Sequence, residues 1–351
     1  MKAMVKRLAM AVGLAAALAG CSSSSSSDAA AASKGPAASK NDAPIRVGTY
    51  NIRLSGGAPK FADHGTPNMW EARKEDLVAL LRRLDLDVFG LQEVCPAQAA
   101  YLRAKMPDYK FVGEHRNADR RSGEASPVCY RASRFEALKS GTFWLSETPD
   151  VPGLKGWGAA CPRVCSYLVL RDRRSGLSFC FANTHTDHVS ALAREKGMLL
   201  IVSRMKEFGA GCPIVFTGDH NCRETEPPSQ AVSKILVNAI YASETPPTGP
   251  WRTFNGWGWR DREYPAVAAM KLPENVRNAR KGSPDANKDK NGGHVWEDCG
   301  ARIDYIYVSP GVRVRDYATF ADPRPGKKLY PSDHFPIVAT IDLQAKNEVP
   351  K

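Results

Sequence analysis

The sequence predicts a strand-rich α/β domain, and three observations carry that prediction. Short apolar or alternating runs recur, among them Ile45 to Asn51, Val88 to Gln92, Pro213 to Asp219 and Arg302 to Val308, with the length and period of strands. Between them lie longer stretches with apolar residues at helical spacing, first Trp70, Leu77, Leu81 and Leu84, then Leu192 to Phe208. Run after run also ends on Asn, Asp, Glu or His, so the strand exits collect groups able to hold cations, water or protons. At 351 residues, 43% of them hydrophobic, the chain can bury one large core or two medium ones.

Folding starts near Ile45. Residues 1–20 read as a signal peptide: Lys2, Lys6 and Arg7 precede an apolar stretch from Leu8 to Ala19 that is too short to span a membrane. The stretch ends Leu18-Ala19-Gly20-Cys21, which resembles the lipobox of bacterial lipoproteins. That resemblance makes Cys21 the lipidated first residue of an exported chain, anchored at the outer membrane or cell surface of a bacterium; the alternative is a cleaved, soluble secreted protein. Residues 21–43 are Ser- and Ala-rich with little to bury, a flexible tether ahead of a domain over 44–345. The net charge of +12 favours anionic partners, whether nucleic acid, phosphorylated sugars or lipid headgroups, and equally serves solubility alone. Of the nine cysteines, the eight beyond Cys21 are expected to form some disulfides in an oxidising compartment. None of them has the two-residue spacing of a zinc knuckle, so no structural zinc is expected.

The elements follow in order. Ile45 to Asn51 places Val47, Thr49 and Asn51 on one side, and Asn68 with Glu71 resembles a capping box opening the helix to Leu84. Val88 to Gln92 is a buried strand, and Glu93 is the first acid past its end. Glu124 precedes a strand around Pro127 to Tyr130, and another runs from Phe135 to Leu145. Trp144, Trp157 and Arg163 then fall in a Pro- and Gly-rich connection of the kind that lines substrate clefts. Val164 to Arg171 and Leu177 to Ala182 form a hairpin running out into Asn183-Thr184-His185-Thr186-Asp187-His188, which fits either a metal cluster or a network orienting one working His.

After the second helix comes Pro213 to Asn221. Gly218 allows close approach of the backbone, while Asp219 and Asn221, two apart in an extended segment, offer oxygen donors to Mg²⁺, Mn²⁺, water or phosphate. The aromatic loop Trp251 to Trp259, which includes Trp257, either stacks on a base or sugar ring or plugs the core. Residues 261–297 read as a charged loop insertion, in which Asn287, Asp289, Asn291 and Asp298 loosely follow a calcium-loop pattern. Asp304 lies in the strand Arg302 to Val308, for which Val312 to Phe320 is the expected hairpin mate. Ser332-Asp333-His334-Phe335-Pro336 then precedes the last strand.

Taken together, Tyr50-Asn51-Ile52, Leu91-Gln92-Glu93, Asn183-Thr184-His185, Gly218-Asp219-x-Asn221, Arg302-Ile303-Asp304-Tyr305 and Ser332-Asp333-His334-Phe335-Pro336 resemble, in order, the motifs of the endonuclease/exonuclease/phosphatase superfamily, also called DNase I-like. The resemblance implies a four-layered α/β sandwich, two packed β-sheets flanked by helices, and Mg²⁺-dependent (or Mn²⁺-dependent) hydrolysis of phosphoesters. It implies Glu93 as principal metal ligand with Asn51 beside it, and Asp333 as a ligand or its support. Asp304 would orient His334, which activates or positions the attacking water. Asp219 and Asn221 would contact phosphate or water, and His185, paired with Glu124, would stabilise the phosphoryl oxygens or leaving group. Arg163, Trp157 and Trp257 are expected to bind substrate. His220 departs from the pattern, which favours an apolar or aromatic residue there. The expected activity is that of a phosphodiesterase or nuclease. The alternatives are a phosphatase or phospholipase-C-like hydrolase of sugar, inositol or lipid phosphates, and a non-catalytic binding lipoprotein. A phosphoester substrate, no protein partner and a monomer are expected.

Overall fold

The structure, a computed structural model, describes residues 44–55, 63–257 and 302–344. In chain order it runs β1 (Ile45–Asn51), α1 (Trp70–Leu84), β2 (Val88–Gln92), α2 (Pro96–Lys105), β3 (Tyr109–Val112) and β4 (Val128–Arg131). Next come β5 (Phe135–Trp144), β6 (Val164–Asp172), β7 (Ser178–His185), α3 (Ala191–Gly209), β8 (Ile214–Asp219), α4 (Pro227–Ser233), β9 (Val237–Asn238) and α5 (Ala239–Ala242). The strands β10 (Asp304–Val308), β11 (Arg313–Thr319) and β12 (Ile337–Asp342) close the fold.

Two six-stranded sheets result, ordered β11-β12-β1-β2-β4-β3 and β5-β6-β7-β8-β10-β9. Each has one parallel pair inside it, β1 with β2 and β7 with β8. A parallel pair needs a crossover, and here α1 and α3 supply it. The inward faces of the sheets share one apolar layer, including Val47, Val88, Leu168, Phe181, Val215, Ile306 and Ile337. Leu77, Leu81 and Leu84 of α1 cover Phe89 and Leu91 on the outside of the first sheet. Met198, Ile201 and Val202 of α3 do the same for Phe216 on the second. The fold is the expected four-layered α/β sandwich.

One polar group bolts the sheets together through that apolar layer. Asn183 of β7 donates from Nδ2 to the carbonyls of Leu91 (2.8 Å) and Pro127 (3.0 Å), and its Oδ1 accepts from Gln92 Nε2 (2.6 Å). Gly90 leaves the room: a Cβ there would sit 2.1 Å from Asn183 Oδ1. Close approach also explains Gly218, whose φ is +155° and whose Cβ would lie 2.3 Å from the Thr184 carbonyl oxygen.

Three expectations are corrected. β11 does not pair with β10; it joins the other sheet beside β12, because both edges of β10 are already taken by β8 and β9. The first helix begins at Trp70 with Met69 at its N-cap and no side-chain cap bond, so the Asn68–Glu71 capping box does not form. No disulfide links the described cysteines: Cys95, Cys129, Cys161, Cys165, Cys180, Cys212 and Cys222 carry free thiols. Their packing gives a reason, since Cys129 lies in the apolar layer outside the first sheet and Cys165, Cys180 and Cys222 in the layer outside the second. The leader, the tether, the 261–297 insertion with its calcium-like pattern, and Cys299 lie outside the described residues. No described helix is long and apolar enough to cross a membrane.

Candidate active site

Strand register assembles the site. In the second sheet His185 lies beside Asp219 across the parallel pair, and Asp219 lies opposite Asp304 across the antiparallel one, giving a row of three titratable groups on three strands. In the first sheet Asn51 is in register with Gln92, so Glu93 leaves its strand next to Asn51. Glu93 (φ +63°), Arg53 (φ +56°) and Asn221 (φ +48°) all sit in the left-handed region, an energetically sparse conformation that clusters at functional sites.

The side chains of the two sheets meet. Asn51 Nδ2 donates to Glu93 Oε1 (3.0 Å) and to Asp219 Oδ2 (2.9 Å). The backbone amide of Leu54 donates to Glu93 Oε2 (2.8 Å). His334 Nδ1 lies 2.8 Å from Asp304 Oδ2, and its Nε2 lies 3.7 Å from Asp219 Oδ2. Asn221 turns back on Asp219, its amide donating to Oδ1 (2.9 Å), so the two do not share one extended edge. Asn221 Nδ2 instead donates to His185 Nε2 (2.8 Å), which leaves the ring proton of His185 on Nδ1, 3.9 Å from Glu124 Oε2. Glu124 is held in turn by Arg116 (2.8 Å).

Burial and charge divide the two histidines. Burial opposes a charge on His334, but Asp304 beside it, with Asp219 and Asp333 nearby, outweighs that and raises its pKa to about 10. Burial, helped by the Arg163 cation, pushes His185 well below its ordinary value, so it is neutral. Burial raises Asp219 to about 7, Asp304 adding to the shift, and burial likewise raises Asp333 and Glu124. Neighbouring carboxylates add to these shifts, and the nearby cations, His334 beside Asp219 and Asp333 and Arg116 beside Glu124, only partly offset them. Asp304 Oδ1 is also buried without a hydrogen-bond partner, and ligand atoms of Asp219, Asp304 and His334 lie within 4.8 Å of one another. With Asp304 Oδ2 taken up by His334, the oxygen donors that suit a hard divalent cation are those of Asn51, Glu93, Asp219 and Asp333.

The remaining expected residues fall in two places. Asp333 stands on the first-sheet side, 3.7 Å from Arg53 Nε, with its carbonyl held by the amides of Asn255 and Gly256. Arg163 lies 4.0 Å from Glu124 and bonds His188 Nδ1 (3.0 Å). Asp187 accepts the amides of Ala160, Val189 and Ser190, so the polar run after β7 is chiefly a latch that ties two loops together. Trp157 belongs to the same latch, its carbonyl accepting from Ser190 Oγ. Trp257 is turned away to Arg73, whose guanidinium carbon lies 5.4 Å from its ring. The aromatic ring that reaches the centre is Phe254, 5.0 Å from the His334 ring, edge to face, and 38% exposed. Sequence reasoning caught Phe254 only as part of the aromatic loop and missed Arg53 and Arg116; the position of Arg53 two residues past Asn51 was its one signal, while Arg116 is placed by tertiary pairing. His220 packs between Phe216 and the Tyr305 and Tyr307 rings, with both ring nitrogens unpartnered among the described residues.

Known proteins share this fold. An endonuclease/exonuclease/phosphatase family protein from Bacteroides thetaiotaomicron is 28% identical, with a TM-score of 0.71, over 86% of this chain and 99% of that one. A mannosyl-6-phosphatase from the same organism is 29% identical with a TM-score of 0.68, over 85% of this chain and 99% of that one. Among curated proteins, Nocturnin of Drosophila melanogaster is 27% identical over 299 residues, 80% of this chain and 43% of that protein. An uncharacterized protein of Acanthamoeba polyphaga mimivirus is 24% identical over 50% of this chain and 30% of that one, so the chain spans less than half the length of these curated relatives. The family model described as Endonuclease/Exonuclease/phosphatase matches residues 48–334, and the chain belongs to that family.

Proposed function

We propose that the chain is a divalent-metal-dependent phosphoester hydrolase, and that its substrate is a phosphomonoester on a small ring-bearing alcohol, such as a sugar phosphate. The observation that carries the reaction is the buried His334–Asp304 pair at 2.8 Å, whose free nitrogen lies 3.7 Å from Asp219, which Asn51 in turn links to Glu93. Asp304 holds the Nδ1 proton, which leaves Nε2 in place to give a proton to, or take one from, the attacking water or a phosphoryl oxygen. Glu93 and Asp333, with Asn51 and Asp219 alongside, would hold Mg²⁺ or Mn²⁺, which when bound neutralises phosphoryl charge and eases departure of the alkoxide. Asn221 and neutral His185 fix one wall, and Glu124 with Arg116 backs it.

Three features favour a monoester. Arg53, Arg116 and Arg163 stand close to the site carboxylates, a density of cations suited to a dianionic phosphoryl group. The exposed ring of Phe254 offers an apolar face beside His334. A similar structure at 29% identity is described as a mannosyl-6-phosphatase. A second reading, cleavage of nucleic acid, is favoured by the net charge of +12 and by the same aromatic ring, which suits a base.

The test is phosphate release from a hexose 6-phosphate, and cleavage of a synthetic phosphodiester, plasmid DNA and RNA, each with Mg²⁺, Mn²⁺ or EDTA. Metal-dependent phosphate release that disappears in His334→Ala is expected. Cutting of nucleic acid without phosphate release would replace the first substrate with the second, and turnover of none of them would sink the hydrolase reading. The export reading stands on residues 1–21 and is checked by metabolic labelling with a fatty acid, which Cys21→Ser should abolish.

A further inference from the structure

Arg73 is a fully buried cation that forms no ion pair among the described residues. Its five N–H donors are met by five carbonyls instead. Nε donates to Asn68, one terminal nitrogen to Ile52 (2.6 Å) and Pro331 (3.0 Å), and the other to Arg53 (2.8 Å) and Leu54 (3.0 Å). The rings of Trp70 and Trp257 lie 5.3 and 5.4 Å from its guanidinium carbon. Only the planar fork of an arginine can serve so many acceptors at once; a lysine offers three donors from a single point.

The acceptors are not scattered. The turn Ile52–Leu54 hands its carbonyls back to Arg73 while its amides point forward, that of Arg53 to Asn51 Oδ1 (2.9 Å) and that of Leu54 to Glu93 Oε2 (2.8 Å). Arg53 takes a left-handed φ of +56° at the centre of this turn. Pro331 leads into Ser332, whose hydroxyl bonds the Asn51 carbonyl (2.7 Å), and then into Asp333 and His334. Trp257 closes the segment whose Asn255 and Gly256 amides hold the Asp333 carbonyl. Three separate chain segments that carry or brace the oxygen donors of the first-sheet side thus meet on one guanidinium behind the cleft.

We propose that Arg73 is a positioning residue for the reaction: by clamping the Ile52–Leu54 turn to Pro331, it sets the spacing of Asn51 and Glu93 against Asp333, and with it the affinity for the divalent cation. The proposal rests on the metal-dependent hydrolase reading above. Burial works against the charge of Arg73, while Asp333, Tyr50, Asp63 and Glu93 favour it, so the clamp also supplies fixed positive charge behind these acids.

The experiment measures Mn²⁺ affinity by calorimetry on the full chain, with kcat, KM and the melting temperature, for wild type, Arg73→Lys and Trp257→Leu. Outer-shell groups that orient metal ligands change affinity or activity by about 10–100-fold when removed. Arg73→Lys is expected to weaken Mn²⁺ binding by about 10-fold or more and, at a Mn²⁺ concentration that just saturates wild type, to lower kcat with little change in KM, a loss that higher Mn²⁺ should partly restore. A folded Arg73→Lys that melts earlier yet binds Mn²⁺ as tightly as wild type overturns the proposal, since a merely structural residue would behave that way. Should Arg73→Lys fail to fold, Trp257→Leu decides: it loses one stacking face of the guanidinium and is expected to bind Mn²⁺ about 3-fold or more weakly, and unchanged affinity overturns the proposal. Wild type that binds no Mn²⁺ fails earlier and separately, taking the hydrolase reading with it.

Discussion

The two crossover units of this fold, β1–α1–β2 and β7–α3–β8, solve one problem in different ways. Each delivers polar groups at the exits of a parallel strand pair, and each helix carries an arginine at its fourth residue, Arg73 in α1 and Arg194 in α3, which reaches back to the preceding turn. In the second unit the turn holds itself. Asp187 Oδ1 accepts the amides of Val189 and Ser190, and the Ser190 hydroxyl caps α3 through the Ala193 amide (3.1 Å). Arg194 adds one bond to the Asp187 carbonyl and a loose contact with Glu226 at 3.6 Å, and its Nε is buried without a partner. In the first unit α1 has no side-chain cap, and the turn contains a left-handed non-glycine residue. There all five donors of the arginine are used. A self-capped turn needs its arginine little, whereas an uncapped and strained turn depends on it.

The comparison also separates chemistry. The first unit carries Asn51 and Glu93, the side proposed to hold the cation; the second carries His185 and Asp219, and β10 extends that row with Asp304, the side proposed to manage protons. The largest expected effects break one side at a time. Asp304→Asn removes the carboxylate that holds the His334 ring and favours its charged form, so kcat should fall by about 10²–10⁴-fold while Mn²⁺ affinity stays near wild type. Glu93→Gln should do the reverse, weakening Mn²⁺ binding about 10-fold or more with activity partly recovered at high metal. Calorimetry and steady-state kinetics on both variants check this, and equal loss of metal affinity in the two would erase the division of labour.

Next in size is the tie between the units. Asn183→Ala removes four hydrogen bonds and leaves Gln92 Nε2, the Thr217 hydroxyl and two carbonyls with fewer or no partners in a buried layer. Buried groups stripped of partners cost about 1–3 kcal/mol each, with partial relaxation, so a loss of about 3 kcal/mol is expected in chemical denaturation. The variant should fold with both sheets intact and lose activity, because the sheets then hold their halves of the site less rigidly.

Asn183 also marks what the sequence could and could not reveal. Asn51, Glu93 and Asp219 were legible because a buried run has a period and its polar terminus stands out, whereas Asp304, read inside its strand, and His334, ahead of the last one, were legible through the ordered motifs. The pairing of β11 was not, since adjacency in the chain favours a hairpin with β10 and only the filled edges of β10 forbid it. Arg73 has no reading in the sequence, because its carbonyl acceptors, up to 258 residues away, leave no local trace. Phe254 outranks Trp257 at the centre because of an isolated antiparallel bridge to His334 that no composition encodes. Cysteine parity misled for a similar reason: an even count says nothing about which layer each thiol occupies.

A smaller effect sharpens the picture of the second unit. His220 is buried among Phe216, Tyr305 and Tyr307, and burial depresses its pKa to about 3. A depressed histidine stabilises the fold fully above its unfolded value near 6.5, and that contribution is lost as pH falls from there towards 3. At pH 5 the loss amounts to about 2 kcal/mol. His220→Phe keeps the ring stack and removes the titration, so it should match wild type near pH 7 and exceed it by about 2 kcal/mol at pH 5 in urea denaturation. Parallel pH curves for the two proteins would mean that the ring is hydrated rather than dry.

The smallest expected effect is the most direct check on the opening contrast. Arg194→Gln loses a single bond to the Asp187 carbonyl and a contact with a partly exposed Glu226, while the amide bonds to Asp187 and the Ser190 cap remain. One neutral acceptor bond is worth about 1 kcal/mol and a loose ion pair less, so stability should fall by about 1 kcal/mol, with kcat and Mn²⁺ affinity within about 2-fold of wild type. The removal of a buried Nε that has no partner offsets part of even that cost. An Arg194→Gln variant that loses Mn²⁺ affinity as Arg73→Lys is expected to would show that both turns lean on their arginines, and self-capping would then not be what distinguishes them.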